Sequence, residues 1–186
     1  LGRPDQAKWD EVIVKEMKGL DDMGIFEHNL TRKQLDERGI TPAKTIVGMR
    51  MLLDVKLKPD GSFDKMKARN VIQGHKGYVQ QGVHYSAVFA AAPSIPASRV
   101  IQAIGVLMGY HRWTQDMCQA YLHGEVTAEE ALPVRYPKGL ERFGYGGTNE
   151  QGEELFGLLV GNLYGNPPAG RYWARRRDKW IKSYSG

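Results

Sequence analysis

An α+β fold is predicted by three observations along the chain: apolar residues at helical spacing near the N-terminus, a switch to period-two alternation at Arg50, and a return to helical spacing after Ser98. Trp9, Val12, Ile13, Met17 and Leu20 recur at i, i+3 and i+4, with Asp10, Glu11, Lys15 and Lys18 between them. Residues 6–20 therefore read as an amphipathic helix that packs on a sheet and is ended by Gly19 and Gly24. Residues 31–39 read as a short polar helix, with Thr31 as its cap.

From residue 50 onward, Met51, Leu53, Val55 and Leu57 alternate with Arg50, Leu52, Asp54 and Lys56, and Pro59-Asp60-Gly61 supplies a hairpin turn. On the return strand Met66, Ala68 and Ile72 form one face, and Lys65, Lys67 and Arg69 the other. The hairpin thus has an apolar side and a basic side. Lys56, Lys58, Lys65, Lys67 and Arg69 converge on the basic one, which is either a solvated strand face or a strip suited to a triphosphate or a nucleic-acid backbone.

Residues 74–97 carry Gly74, Gly77, Gly82, Pro93 and Pro96 and read as an irregular connection. Its aromatic side chains Tyr78, His84, Tyr85 and Phe89 either stack on bases or pack beneath the loop. Ser98 is the expected N-cap of a helix with Val100, Ile101, Ile104, Leu107 and Met108 on its core face. Residues 132–136 and 155–160 are short strand candidates, and 144–152 between them has loop composition. Two consecutive prolines, Pro167 and Pro168, delay the last helix to about residues 171–183. Arg171, Arg175 and Arg176 are then expected within reach of one helix face, either as a template-phosphate site or as an ordinary solvated surface.

At 186 residues the chain is long enough to bury a core, and its 41% hydrophobic and 25% charged composition is ordinary for a soluble globular protein. The net charge of +5 is compatible with an anionic partner and equally with simple solubility. No apolar stretch approaches the roughly 20 residues that span a bilayer. The first residues, Leu1 to Asp5, have no signal core, and without an initiating Met the chain is expected to be a piece of a longer product, which leaves any upstream targeting segment and the compartment open. Cys118, the single cysteine, excludes an intrachain disulfide, is compatible with a reducing compartment, and is expected to be a buried structural thiol. His28, His75, His84, His111 and His123 show no metal-ligand spacing, and no P-loop, dinucleotide fingerprint or serine nucleophile elbow is present.

One further segment carries chemistry. In the run Arg112 to Gly124, a strand-like stretch ends on Asp116 and is followed five positions later by Tyr121. Taken alone, Asp116 either caps the next turn or binds a metal. Around it stand Lys67-Ala-Arg-Asn-Val-Ile-Gln-Gly74, Gly82-Val-His-Tyr85 with Phe89-Ala-Ala-Ala-Pro93, Tyr136-Pro-Lys-Gly139, and Leu163-Tyr-Gly165 with Ala169-Gly-Arg-Tyr-Trp173. With the hairpin segment 56–61 and the Asp116 block, these occur in the order in which they appear in the reverse transcriptase domain of Ty1/copia-type retrotransposons, which the chain resembles from about Trp9 to Trp180.

The resemblance implies a partial right-hand polymerase: an N-terminal helix and fingers-like region over 1–97, and an incomplete palm-like sheet with packed helices over 98–186. It implies an RNA-directed DNA polymerase acting on RNA or DNA with deoxynucleoside triphosphates. Asp116 would be the catalytic carboxylate that ligates Mg²⁺, and Tyr121 would gate the sugar. Arg69 with Lys56 or Lys58 would hold the triphosphate, while Lys65, Lys67, Arg171, Arg175 and Arg176 would contact nucleic acid. The helix before Asp116 would cover the back of the palm sheet.

Two departures from the family pattern qualify this. Its second acidic motif, an aromatic-x-Asp-Asp turn, does not occur before Gly186, so this chain by itself is expected to be inactive, since one carboxylate does not hold a two-metal clamp. Pro168 stands where the family has a Gln near the incoming nucleotide. Two other functions are therefore expected alternatives: a transposon-derived, non-catalytic structural subunit of a larger protein assembly, or a nucleic-acid-binding module.

Overall fold

The computed structural model describes residues 5–40, 44–75, 79–90, 92–112 and 116–184. Helix α1 (Gln6–Asp22) presents Ile13, Met17 and Leu20 to the core, as their spacing requires, and runs through Gly19 to stop just before Gly24. Strand β1 (Phe26–Leu30) follows, then α2 (Arg32–Glu37), whose N-cap Thr31 accepts a hydrogen bond from the Gln34 N–H while the Gln34 side chain accepts one from the Thr31 N–H. The hairpin strands are β2 (Val47–Leu57) and β3 (Phe63–Ile72). After α3 (Ile95–Leu107) come β4 (Leu132–Arg135), β5 (Phe156–Leu159) and α4 (Ala169–Ser183).

The five strands form one sheet in the order β1-β5-β4-β2-β3, so each of the two sequence regions contributes strands to it. All pairings are antiparallel except β2 with β4, which are parallel over Val47 and Gly48. The sheet is covered on both sides. Ile13, Met17 and Leu20 of α1 pack with Val47, Met49, Ala68, Ile72, Val134 and Leu159 on one side, and Leu35 and Ile40 pack with Leu30, Phe156 and Leu158 on the other. Leu158 and Leu159 thus face opposite cores, which is why β5 reads as a continuous apolar run.

Several expectations are corrected. The helix α3 is capped by Ser94, whose hydroxyl accepts from the Ala97 N–H, and not by Ser98; Pro96 fits the first turn, where its missing N–H costs nothing. No residue of α3 is buried: Val100, Ile101, Ile104, Leu107 and Met108 are all at least half exposed, so the helix does not cover the back of the sheet. Among the described residues no strand leads into Asp116: residues 110–112 and 116–117 lie in no element, and 113–115 fall outside the described residues. Cys118, in the turn that follows, is exposed rather than buried. β1 was not anticipated at all, and Asn29 within it has φ +57, which breaks its register with β5.

The Leu163-Tyr164-Gly165 block closes the fold against the base of the hairpin. The Ile72 N–H donates to the Tyr164 carbonyl at 2.8 Å. Gly165 has φ +81, and a Cβ there would collide with the Ile72 carbonyl oxygen; a Cβ on Gly74 would collide with the Gly165 carbonyl oxygen. Backbone meets backbone at this point, with no room for a side chain. Gly165→Ala is therefore expected to destabilise the protein by more than about 1 kcal/mol, read as a lower urea midpoint at unchanged slope.

Candidate nucleic-acid interface

The β2–β3 register decides which side chains share a face. Lys56 lies opposite Lys65, Asp54 opposite Lys67, and Leu52 opposite Arg69, while Val55, Leu53 and Met51 lie opposite Met66, Ala68 and Asn70. Directly opposed residues point to the same side, so Lys56, Lys65, Lys67 and Arg69 form one basic face with Asp54 as its internal counter-charge. Lys58 sits at the turn, where its N–H donates to the Ser62 carbonyl at 2.8 Å. The Asp60 carboxylate accepts from the N–H and hydroxyl of Ser62 and fixes that turn.

These cations feel one another. Partial burial pushes the Lys67 ammonium below its ordinary value, and Arg69, Lys56 and Lys65 push it further the same way; only Glu16 opposes them. Glu16 reaches over from α1 and accepts the Asn70 N–H at 3.1 Å. Burial holds its carboxyl above the ordinary 4.5, against the hydrogen bond from Asn70 and the charges of Lys67 and Arg69. Sequence patterning identified the lysines and arginine but not Glu16, whose link to Asn70 spans 54 positions.

Asp116 lies elsewhere, on the wall of an open cavity of about 640 Å³ formed between 116–123 and α4. Met117, Ala120, His123, Trp173, Arg176, Arg177, Trp180 and Ile181 complete the lining. Tyr121 does not join them: it sits, 47% exposed, on the short 3-10 helix Ala120–His123, and its carbonyl accepts from Asn162 Nδ2 at 2.7 Å. Mg²⁺ requires near-octahedral oxygen ligation. One carboxylate facing an imidazole and two guanidinium groups does not supply it, and among the described residues no three acidic, His or Cys side chains gather as a metal site.

The expected arginine cluster on α4 divides. Arg171 donates to Ser86 Oγ at 2.8 Å; burial first, then the nearby Glu130, push the Tyr172 phenol up, against the charges of Arg175 and Arg171. Arg176 turns away to pair with Glu125 at 2.7 Å, and Lys179 approaches the same carboxylate at 3.8 Å. Arg177 pairs with Asp178. Of the loop aromatics, His84 is buried with Nδ1 accepting the Gln80 N–H, Tyr85 is partly buried, Phe89 is 79% exposed, and Tyr78 lies outside the described residues.

A polar cluster that sequence patterning missed ties α1 to the segment after β4. His28 Nε2 lies 2.8 Å from Asp21 Oδ1 and Nδ1 lies 2.5 Å from the Tyr136 hydroxyl. With Nε2 donating to the carboxylate, Nδ1 accepts from Tyr136. Tyr145 donates to the other Asp21 oxygen at 2.5 Å; burial first, then that bond, push its phenol up to about 12. Burial and the Asp21 charge likewise raise Tyr136. Each polar atom in this chain of bonds is satisfied by another, which makes it a structural clamp.

No family model matches the chain, and no solved structure does. Over 89 residues the chain is 33% identical to a retrovirus-related Pol polyprotein from transposon RE2 of Arabidopsis thaliana. That similarity covers 47% of this chain and 6% of the polyprotein, so the chain spans a small part of that protein's length. Among the described residues no helix is long and apolar enough to cross a membrane. The similarity supports a retrotransposon Pol-derived region in this chain.

Proposed function

We propose that the chain is a nucleic-acid-binding part of a reverse-transcriptase-type polymerase, with β2 and β3 as its fingers hairpin. The observation that carries this is the basic hairpin face, where Lys56, Lys65, Lys67 and Arg69 stand on adjacent strands with Asp54 and Glu16 as the nearby acids. Such crowding costs stability in the free protein, and an anion relieves it. The relation to a retrotransposon Pol polyprotein and the order of the sequence blocks favour a nucleic-acid backbone or triphosphate as that anion. In the polymerase reading, Arg69 and Lys56 or Lys58 grip the triphosphate, and Asp116 and Tyr121 serve the metal and the sugar once further carboxylates join Asp116. Arg171 and Arg175 remain together as a lesser cationic pair; Arg176 is neutralised by Glu125.

Binding to duplex nucleic acid is expected to weaken with salt at a slope of roughly −0.9 per neutralised phosphate, and Lys67→Ala with Arg69→Ala to reduce that slope. Fluorescence anisotropy across a salt series measures both; a flat salt response by the unaltered protein would remove the backbone-binding reading.

Glu16 gives this interface a pH dependence with a definite sign. Its carboxyl, held above 4.5, takes up a proton at a higher pH than a free carboxylate would, and protonation removes the negative charge beside Lys67 and Arg69. Anion binding is therefore expected to tighten as pH falls through that raised value. Glu16→Gln should bind at neutral pH as tightly as the unaltered protein does below that value and lose the step, and a titration of affinity in both proteins reads the difference.

Polymerase activity is tested in a longer chain that includes the second acidic motif. There Asp116→Asn is expected to abolish primer extension, and Tyr121→Ala to admit ribonucleotides. Undiminished extension by Asp116→Asn would take the metal role away from this residue.

A further inference from the structure

The outer part of β2 has a free edge with a pattern of its own. Gln73 N–H donates to the Gly48 carbonyl, and Lys58 N–H to that of Ser62, so even-numbered residues of β2 turn their backbone groups toward β3. Met51, Leu53, Val55 and Leu57 then turn theirs away. The pairing of β2 with β4 ends at Gly48, leaving the groups of these four residues without a neighbouring strand among the described residues. The side chains along this edge are open too: Leu53 and Val55 are each 47% exposed, and Leu57 is 61% exposed.

We propose that β2 pairs along this edge with β2 of a second copy of the chain, antiparallel about a two-fold axis at Val55. In that register Val55 faces Val55, Leu53 faces Leu57, and Asp54 faces Lys56, each unlike pair occurring twice by symmetry. The backbone directions agree, since Leu53, Val55 and Leu57 supply the outward groups. Asp54 and Lys56 fall at the more closely spaced, non-hydrogen-bonded positions, where opposite charges count most.

Neighbouring registers lack this match. Centring on Leu53 sets Arg50 against Lys56, centring on Asp54 or on Lys56 sets that charge against itself, and centring on Leu57 sets Asp54 against Asp60 and Lys56 against Lys58. The opposite edge of the hairpin is no alternative, because pairing β3 with itself aligns Lys65, Lys67 and Arg69 with one another, and α1 already lies against β3 through the Glu16 to Asn70 bond. Between the two edges of the hairpin, charge complementarity therefore selects that of β2, paired with a second copy in the Val55 register. Opposed residues share a face, so the basic strips of both copies come to lie on the same side of a continuous sheet.

Sedimentation equilibrium of the 186-residue chain, free of nucleic acid and over a range of concentrations, tests this. The unaltered protein is expected to pass from monomer to dimer as concentration rises. Lys56→Asp is expected to remain monomeric, since it sets Asp against Asp54 of the second copy while facing Lys65 favourably within its own hairpin. Combining it with Asp54→Lys restores the complementary pairs and should restore the dimer. Val55→Lys, at an exposed position on the axis, sets two ammonium groups together and should also abolish it, which keeps the test decisive if either charge variant fails to fold by circular dichroism. A monomer at every concentration, a dimer indifferent to Lys56→Asp or Val55→Lys, a folded double variant that stays monomeric, or a dimer formed only when duplex DNA is added would each overturn the proposal.

Discussion

β2 changes partner along its length, and much of the structure depends on that change. Val47 and Gly48 pair with β4, and from Met49 onward the strand is paired, among the described residues, with β3 alone. The hairpin is therefore anchored at its base and free at its tip. At the base Val47, Met49, Ala68 and Ile72 are buried among α1 and the central strands, and the Ile72 to Tyr164 bond fixes the strand end to the Gly165 turn. That anchorage sets the register, and because strand side chains alternate, a slip by one residue would exchange the basic and apolar faces. The Gly165 contact far from the lysines thus controls where their charge points.

Charge balance separates the hairpin from α4 as anion-binding surfaces. On α4, Arg176 and Lys179 share Glu125, and Arg177 has Asp178, so these three cations are compensated in part locally. Ion pairs this exposed contribute little to stability, but they do cancel the field. On the hairpin, the cations outnumber Asp54 and Glu16, and the like charge of Arg69, Lys56 and Lys65 adds to burial in lowering the Lys67 ammonium. A surface that retains uncompensated like charge is where an external anion gains most.

How much of this was legible in the sequence followed from the range of the interactions. α1, the hairpin and its two faces, β4, β5 and α4 are written in periodicity and turn chemistry within short windows, and each appears within a few residues of its expected place. β1 was hidden because Phe26 to Leu30 carries neither alternation nor β-branched residues; β5, more than a hundred positions away, makes it a strand. The clamp of Asp21, His28, Tyr136 and Tyr145 has no local signal either, since its partners meet across 108 and 124 positions. The basic strip was readable as composition and spacing, but its restraint by Glu16 was not. For Asp116 and Tyr121 the spacing was visible, yet their placement depends on whether the surrounding segment becomes a strand, and around Asp116 the described residues do not.

α3 shows the limit of inference from an apolar stripe. Spacing of Val100, Ile101, Ile104 and Leu107 identifies a helix and the face it would bury, but carries no information about what lies against that face. Its formation is explained locally, by the Ser94 cap and Pro96 in the first turn. A helix of 13 residues is marginal in water on such terms, because most helical stability in proteins comes from packing. Among the described residues α3 has almost none of that packing, with Leu107 84% exposed and Ile101 66% exposed. The hairpin edge and α3 therefore differ in kind: the edge carries charges that specify a complementary strand, whereas the face of α3 is uniformly apolar and specifies only that water be excluded.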